Sequence, residues 1–314
     1  MKLVTFRSKE GASRLGAMVS DTHVLDLTLA DQTGAGPFGS MMDLIAAGEA
    51  GLDQARALAA VAPERAIIAL NEVQLQAPLP VPARLRDAGM FIEHLEIVAK
   101  AMAQMAVEQG AGSGAAPAPF EVPEVLYRRA CYYNGNHHAI LGPDEPLRWP
   151  SRVSVVDYEL ELAVVVGRAG SDLSPDEARS HIFGYTLMND WSARDLQMDV
   201  KPSGAGPCMG KDFGTSLGPC IVTADEIGDP QALELEAFVD GELWSRGSTR
   251  NMQHSFAEAL SQFSWISPLV PGEVIGSGTP AYGSASEQGK RLEPGQVVEL
   301  RAAAIGALRT PIQA

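Results

Sequence analysis

Asp157, Glu159 and Glu161 occupy alternate positions in Val156-Asp157-Tyr158-Glu159-Leu160-Glu161-Leu162-Ala163-Val164-Val165-Val166-Gly167. Side chains alternate across a strand, so this spacing puts three carboxylates on one face, directly before an apolar β-branched run. A solvated edge strand tolerates such a pattern. A strand entering a core does not, because adjacent like charges repel unless something neutralises them. A hard divalent cation is the simplest neutralising group, since Mg²⁺ takes carboxylate oxygens and a Glu-x-Glu pair supplies two of them in fixed geometry. The pair alone leaves both readings open.

More candidates lie along the chain. Asn189-Asp190-Trp191-Ser192-Ala193-Arg194-Asp195-Leu196-Gln197 precedes Gly210-Lys211-Asp212-Phe213-Gly214-Thr215-Ser216, and Gly276-Ser277-Gly278-Thr279-Pro280 lies near the C-terminus. Upstream stands Arg86-Asp87-Ala88-Gly89-Met90-Phe91-Ile92-Glu93-His94. In order and approximate spacing these segments resemble signatures of the fumarylacetoacetate hydrolase family: Glu-x-Glu, Asn-Asp-x-Ser-x-Arg-Asp-x-Gln, Gly-Lys-Ser-Phe, Gly-(Ser/Thr)-Gly-Thr-Pro and, in longer members, Arg-Asp-(aromatic)-x-x-Phe-x-x-His. Ala88 replaces the aromatic residue, and Asp212 replaces the serine after the lysine. Shorter members place a glutamate three residues after the histidine. Ile97 stands there, which leaves Glu93, Glu96 or a residue distant in sequence to orient His94. The resemblance runs from roughly Arg86 to the C-terminus, and the first ~75 residues carry no diagnostic motif.

The resemblance implies an α+β fold in which a β-rich mixed β-sandwich roll forms a catalytic domain that commonly assembles as a homodimer. It implies a divalent metal held by Asp87, Glu159, Glu161 and Asp190, with Mg²⁺ ahead of Mn²⁺ or Ca²⁺. His94 would activate water, Arg194, Gln197 and Lys211 would contact substrate and oxyanion, and Tyr133 and Thr279 would line the substrate. A structural salt bridge to Asp190 or Asp195 is the plainer role for Arg194. A metal with open positions chelates a 2-oxo acid or 1,3-diketone and stabilises its enolate. The first expectation is hydrolysis of a carbon–carbon bond in an acylpyruvate or related small molecule. Oxaloacetate decarboxylation, hydration of 2-oxo acids and isomerisation use the same enolate. A catalytically inactive relative that binds small acids is the non-enzymatic alternative.

Composition narrows the partners. With 24 basic and 39 acidic residues among 314, the net charge of −15 argues against nucleic acid or an anionic membrane, and an anionic substrate needs local cations to approach. Cys131, Cys208 and Cys220 are odd in number and lack Cys-x-x-Cys spacing, which points away from a disulfide framework or structural zinc and towards a reducing cytoplasm. The beginning Met1-Lys2-Leu3-Val4-Thr5-Phe6-Arg7 has no long apolar region, and the sequence predicts no signal peptide or membrane span. No nucleotide-binding glycine motif follows a strand. His137 and His138 read as loop residues, since adjacent side chains point apart.

These groups need a scaffold. Pro78, Pro80 and Pro82 mark a boundary between a small N-terminal α/β domain, residues 1–77, and a catalytic domain, residues 78–314. Short strands span Leu3 to Leu27, and a helix starts near Ser40, whose spacing to Asp43 suits a cap. Ala55 to Val61 reads as another helix. Leu95, Val98, Met102 and Met105 follow helical spacing, placing His94 near a helix start, and Gly110 to Pro119 is either a lid or a flexible connection. Strands are expected at Leu160–Val166, Pro219–Thr223, Leu233–Val239, Glu273–Ile275 and Val297–Leu300, with helices at Pro175–Ser180 and His254–Phe263.

Overall fold

The computed structural model describes residues 1–8, 11–108 and 121–314. The expected turn at Lys9-Glu10, the Gly110–Pro119 segment and the side chains of Met102 and Met105 lie outside the described residues.

All seven residues of the strand Leu160–Val166 are buried. Leu160, Leu162, Val164 and Val166 join one apolar cluster, while Ala163 and Val165 join another on the opposite face. A strand covered on both sides needs apolar residues at nearly every position, which is why the run is continuous rather than alternating. Glu161 is therefore a carboxylate carried into the interior.

This strand is central to a twelve-stranded mixed sheet among the described residues. Ile182–Asp190 flanks it antiparallel on one side, followed by Thr215–Thr223, Lys2–Arg7, Ser13–Ser20, His23–Asp26 and Ile67–Ala69. On the other side come Glu273–Gly276, Arg84–Ala88 and Tyr132–Asn134. The first strand thus joins the rest by pairing Lys2 with Val222 and Leu3 with Ile221. A second, five-stranded sheet contains Glu234–Val239, Glu242–Ser248, Val297–Ala302 and Gly306–Gln313. Leu235, Ala237, Val298 and Leu300 point from it into the cluster that holds Leu162 and Val164, so two sheets close over one core. The β-rich α+β architecture is the expected one.

Local signals explain the helices. Ser40 accepts the Asp43 N–H at 3.1 Å and starts Met41–Val61, which breaks at Gly48, where φ of 60° leaves the right-handed region. Two expected helical stretches are thereby joined. Reciprocal Ser–Glu caps begin Pro175–Arg179 and Phe256–Ile266.

One buried ion pair fixes the register on which the site depends. Arg84–Ala88 runs parallel to Glu273–Gly276, matching Arg86 with Ile275 and Asp87 with Gly276. Arg86 Nη1 lies 3.1 Å from Glu273 Oε1, and both side chains are almost wholly inaccessible. Tyr132 stacks on the guanidinium with its ring centre 4.6 Å from Cζ. Burial lowers the Arg86 pKa and raises that of Glu273, the directions expected where desolvation outweighs mutual attraction. Glu273→Ala should destabilise the fold by about 3–5 kcal/mol in urea unfolding by stranding Arg86, and Arg86→Met with Glu273→Leu should recover most of it. A loss below about 1 kcal/mol in the single variant would mean the pair does not hold these strands.

Candidate active site

The strand pairing brings carboxylates from three strands together. Asp87 and Glu161 meet across Gly276, where a Cβ would sit 2.5 Å from Asp87 Oδ1 and 2.6 Å from Glu161 Oε2, so only glycine permits the approach. Gly278, at φ of 74°, turns its N–H towards both carboxylates at 3.2 Å, and Thr279 Oγ1 donates to Glu161 Oε1 at 3.2 Å. The Gly-Ser-Gly-Thr-Pro segment is thus a donor turn beneath two acids. Asp190 ends the neighbouring strand and accepts from Tyr133 Oη and Lys211 Nζ. Oxygens of Asp87, Glu161 and Asp190 all lie within 4.8 Å of one another, and the three side chains are buried.

Glu159 adjoins this cluster but its oxygens are engaged by cations. One receives Lys211 Nζ and the other lies 2.8 Å from Arg194 Nη1. Arg194 also pairs with Asp157 at 2.8 Å, rather than with Asp190 or Asp195, and reaches Gln197 Oε1 at 3.3 Å. Asp157 further accepts the N–H groups of Ala285 and Ser286. The carboxylates of the alternating segment all face inward, as the spacing suggested, although the regular strand is interrupted at Tyr158-Glu159. Asp212 is exposed and leaves Lys211 to its buried partners.

Among the described residues, five buried carboxylates, Asp87, Asp157, Glu159, Glu161 and Asp190, meet two fixed cations, Arg194 and Lys211. Burial pushes Asp190 up to about 7, with Asp87 and Glu159 adding to it and Lys211 opposing. Burial, Asp87 and Asp190 push Glu161 well above the usual carboxylate range, and burial raises Asp87. Glu159 moves the other way: burial opposes its ionisation, but Lys211, Arg194 and His94 hold it well below the usual range. Asp87 and Glu161 both face the Gly278 N–H and lie close enough to repel each other when ionised. A divalent cation fits this donor set, because three buried oxygen ligands without sulfur or imidazole suit a hard ion and their crowding leaves negative charge for it to answer.

His94 sits in the first turn of the helix Ile92–Glu108, with Nε2 3.7 Å from Glu159 Oε1. Its Nδ1 lies 3.0 Å from Glu287 Oε1, close enough to pair, though the angles are not those of a formed hydrogen bond. Glu287 is itself held by the Tyr282 and Ser284 N–H groups and the Ser284 hydroxyl. Glu93 and Glu96 are exposed, so the partner of His94 is a residue nearly two hundred positions away. The Ser284-x-x-Glu287 spacing, a capping-type pair, was its only trace in the sequence.

His94, Tyr133, Glu159, Arg194, Gln197 and Lys211 line one pocket of ≈ 550 Å³ together with Asp87 and Thr279. A groove of ≈ 730 Å³ between the N-terminal strands and Pro219-Cys220 contains none of these residues. His137 and His138 stack on each other in a turn, with ring centres 4.2 Å apart.

Comparison with known proteins shows the family of the chain. The mitochondrial oxaloacetate tautomerase fahd2 of Xenopus laevis is 30% identical over 318 residues, covering 99% of this chain and 90% of its own. Oxaloacetate tautomerase YisK of Bacillus subtilis is 30% identical over 311 residues, covering 95% of each. A solved fumarylacetoacetate hydrolase from Exiguobacterium antarcticum superposes with a TM-score of 0.75 at 28% identity, covering 100% of this chain and 99% of that one. The sequence pattern described as fumarylacetoacetate (FAA) hydrolase C-terminal matches residues 97–313. By sequence, fold and the ordered motifs that build its buried carboxylate cluster, the chain belongs to the fumarylacetoacetate hydrolase family.

Proposed function

We propose that this protein is a metal-dependent enzyme that moves a proton between carbon and oxygen of a 2-oxo acid, interconverting keto and enol forms of oxaloacetate or a close relative. The observation that carries the reading is that Asp87, one of the Asp87–Glu161–Asp190 cluster, and His94, which faces Glu287, line the same pocket. The names of two relatives matched over nearly the whole chain support the same activity.

A divalent cation, Mg²⁺ first, would supply Lewis-acid stabilisation of an enolate when bound. Asp87, Glu161 and Asp190 would hold it, with Glu159 adjoining. Lys211, fixed between Glu159 and Asp190, presents positive charge where the enolate oxygen develops its own, and Gln197 adds a side-chain amide beside it. His94 takes the proton from C3 of the keto form or returns it to the enolate carbon, and Glu287 stabilises the imidazolium that forms. Tyr133 and Thr279 brace Asp190 and Glu161.

Hydrolysis of a carbon–carbon bond in an acylpyruvate is the second reading. Leu95, Val98 and Leu126 give the pocket an apolar wall that a four-carbon diacid leaves uncovered, and the same His94 would then take a proton from water.

Decay of the oxaloacetate enol absorbance and product analysis with acylpyruvates, each with Mg²⁺ or Mn²⁺, separate the two readings. Turnover should vanish with chelator and return with metal, and absence of turnover on either substrate class contradicts the proposal.

His94→Ala should slow proton transfer by about two to four orders of magnitude while metal affinity stays unchanged. Glu287→Gln should cost less but in the same step. A parallel loss of metal affinity would instead make His94 a support of the carboxylate cluster.

A further inference from the structure

Nearly every cation in the pocket has its charge answered by a carboxylate. Arg194 is held by Asp157 and Glu159, and Lys211 by Glu159 and Asp190. Lys201 is the exception among the described lining residues, since it borders the pocket, is exposed, and has no carboxylate within ion-pair distance. In a chain of net charge −15 an unanswered lysine at a pocket mouth is where an anion can be received.

The backbone sets its place. Arg194, Gln197 and Lys201 stand at i, i+3 and i+7 of the helix Arg194–Val200, and the right-handed conformation continues through Lys201, whose N–H bonds Gln197 O. That spacing stacks the three on one face. The row climbs from buried Arg194 to the solvent edge, about 10 Å along the axis at the ordinary helical rise. Gly204, at φ of 73°, closes the turn with its N–H on Lys201 O. Leu95, Val98 and Leu126 supply an apolar surface to the same pocket. A ligand matched to these features has a chelating head at the carboxylates, an apolar middle and a negative tail.

We infer that Lys201 binds a second carboxylate at the far end of the substrate and so selects 2-oxo diacids over 2-oxo monoacids, longer diacids presenting that group nearer the mouth. The inference rests on the 2-oxo acid reading given above and adds a specificity residue to it.

Two six-carbon acids test it by calorimetry with Mg²⁺ present: 2-oxoadipate, which ends in a carboxylate, and 2-oxohexanoate, which ends in a methyl group. The wild-type protein should bind the diacid about fivefold more tightly, the scale of a partly solvated ion pair, and added salt should narrow the gap. Lys201→Met should bring the ratio close to one without weakening 2-oxohexanoate, and Lys201→Glu should invert it. Equal wild-type affinities, or a preference that survives Lys201→Met, overturns the assignment of Lys201 while leaving the chelating head intact. Binding of neither acid overturns the 2-oxo acid reading itself, and this inference with it.

Discussion

Repulsion among buried carboxylates is the constraint around which the rest of this protein is arranged. Asp87, Asp157, Glu159, Glu161 and Asp190 are all withdrawn from water, and each would be costly to keep ionised alone. The sheet brings them together deliberately: parallel pairing of Arg84–Ala88 with Glu273–Gly276 sets Asp87 opposite Gly276, and the missing side chain there lets Glu161 approach. The buried Arg86–Glu273 pair secures that register one residue away from Asp87.

The protein resolves the repulsion by dividing the acids into two groups. Asp157 and Glu159 are answered from within by Arg194 and Lys211, and Glu159 is ionised as a result. Asp87, Glu161 and Asp190 are answered only in part, by the Gly278 N–H, the Thr279 and Tyr133 hydroxyls and one end of Lys211, and all three are raised above their ordinary pKa. Glu159 joins the two groups and lies beside His94, so the arrangement that leaves three acids only partly answered also places an imidazole at their edge. Asp157 extends the connection by binding both Arg194 and the backbone of the turn that carries Glu287.

Much of this was legible in the sequence where local chemistry is unusual. Charged residues at period two before Ala163-Val164-Val165-Val166 break the ordinary rule for a buried strand, and the structure buries that strand completely. Ser40 marked a helix start because a cap is a local event. Long-range facts were not visible. Glu287 reaches His94 only through the fold, the strand Ile182–Asp190 has no alternation because both faces are covered, and Lys201 looks like any surface lysine until the pocket's other cations are seen to be paired. Nothing local distinguished Glu159, which Arg194 and Lys211 engage, from Glu161, which faces Asp87.

The direct test of the central claim is calorimetric titration of the metal-free protein with Mn²⁺ in buffers of different ionisation enthalpy near neutral pH. The account predicts one ion per chain, with net release of protons as the ion takes the place of those held on carboxylates that burial raises. It also predicts that binding is lost in Glu161→Gln while the fold persists. Failure to bind, or affinity unchanged in Glu161→Gln, would contradict it.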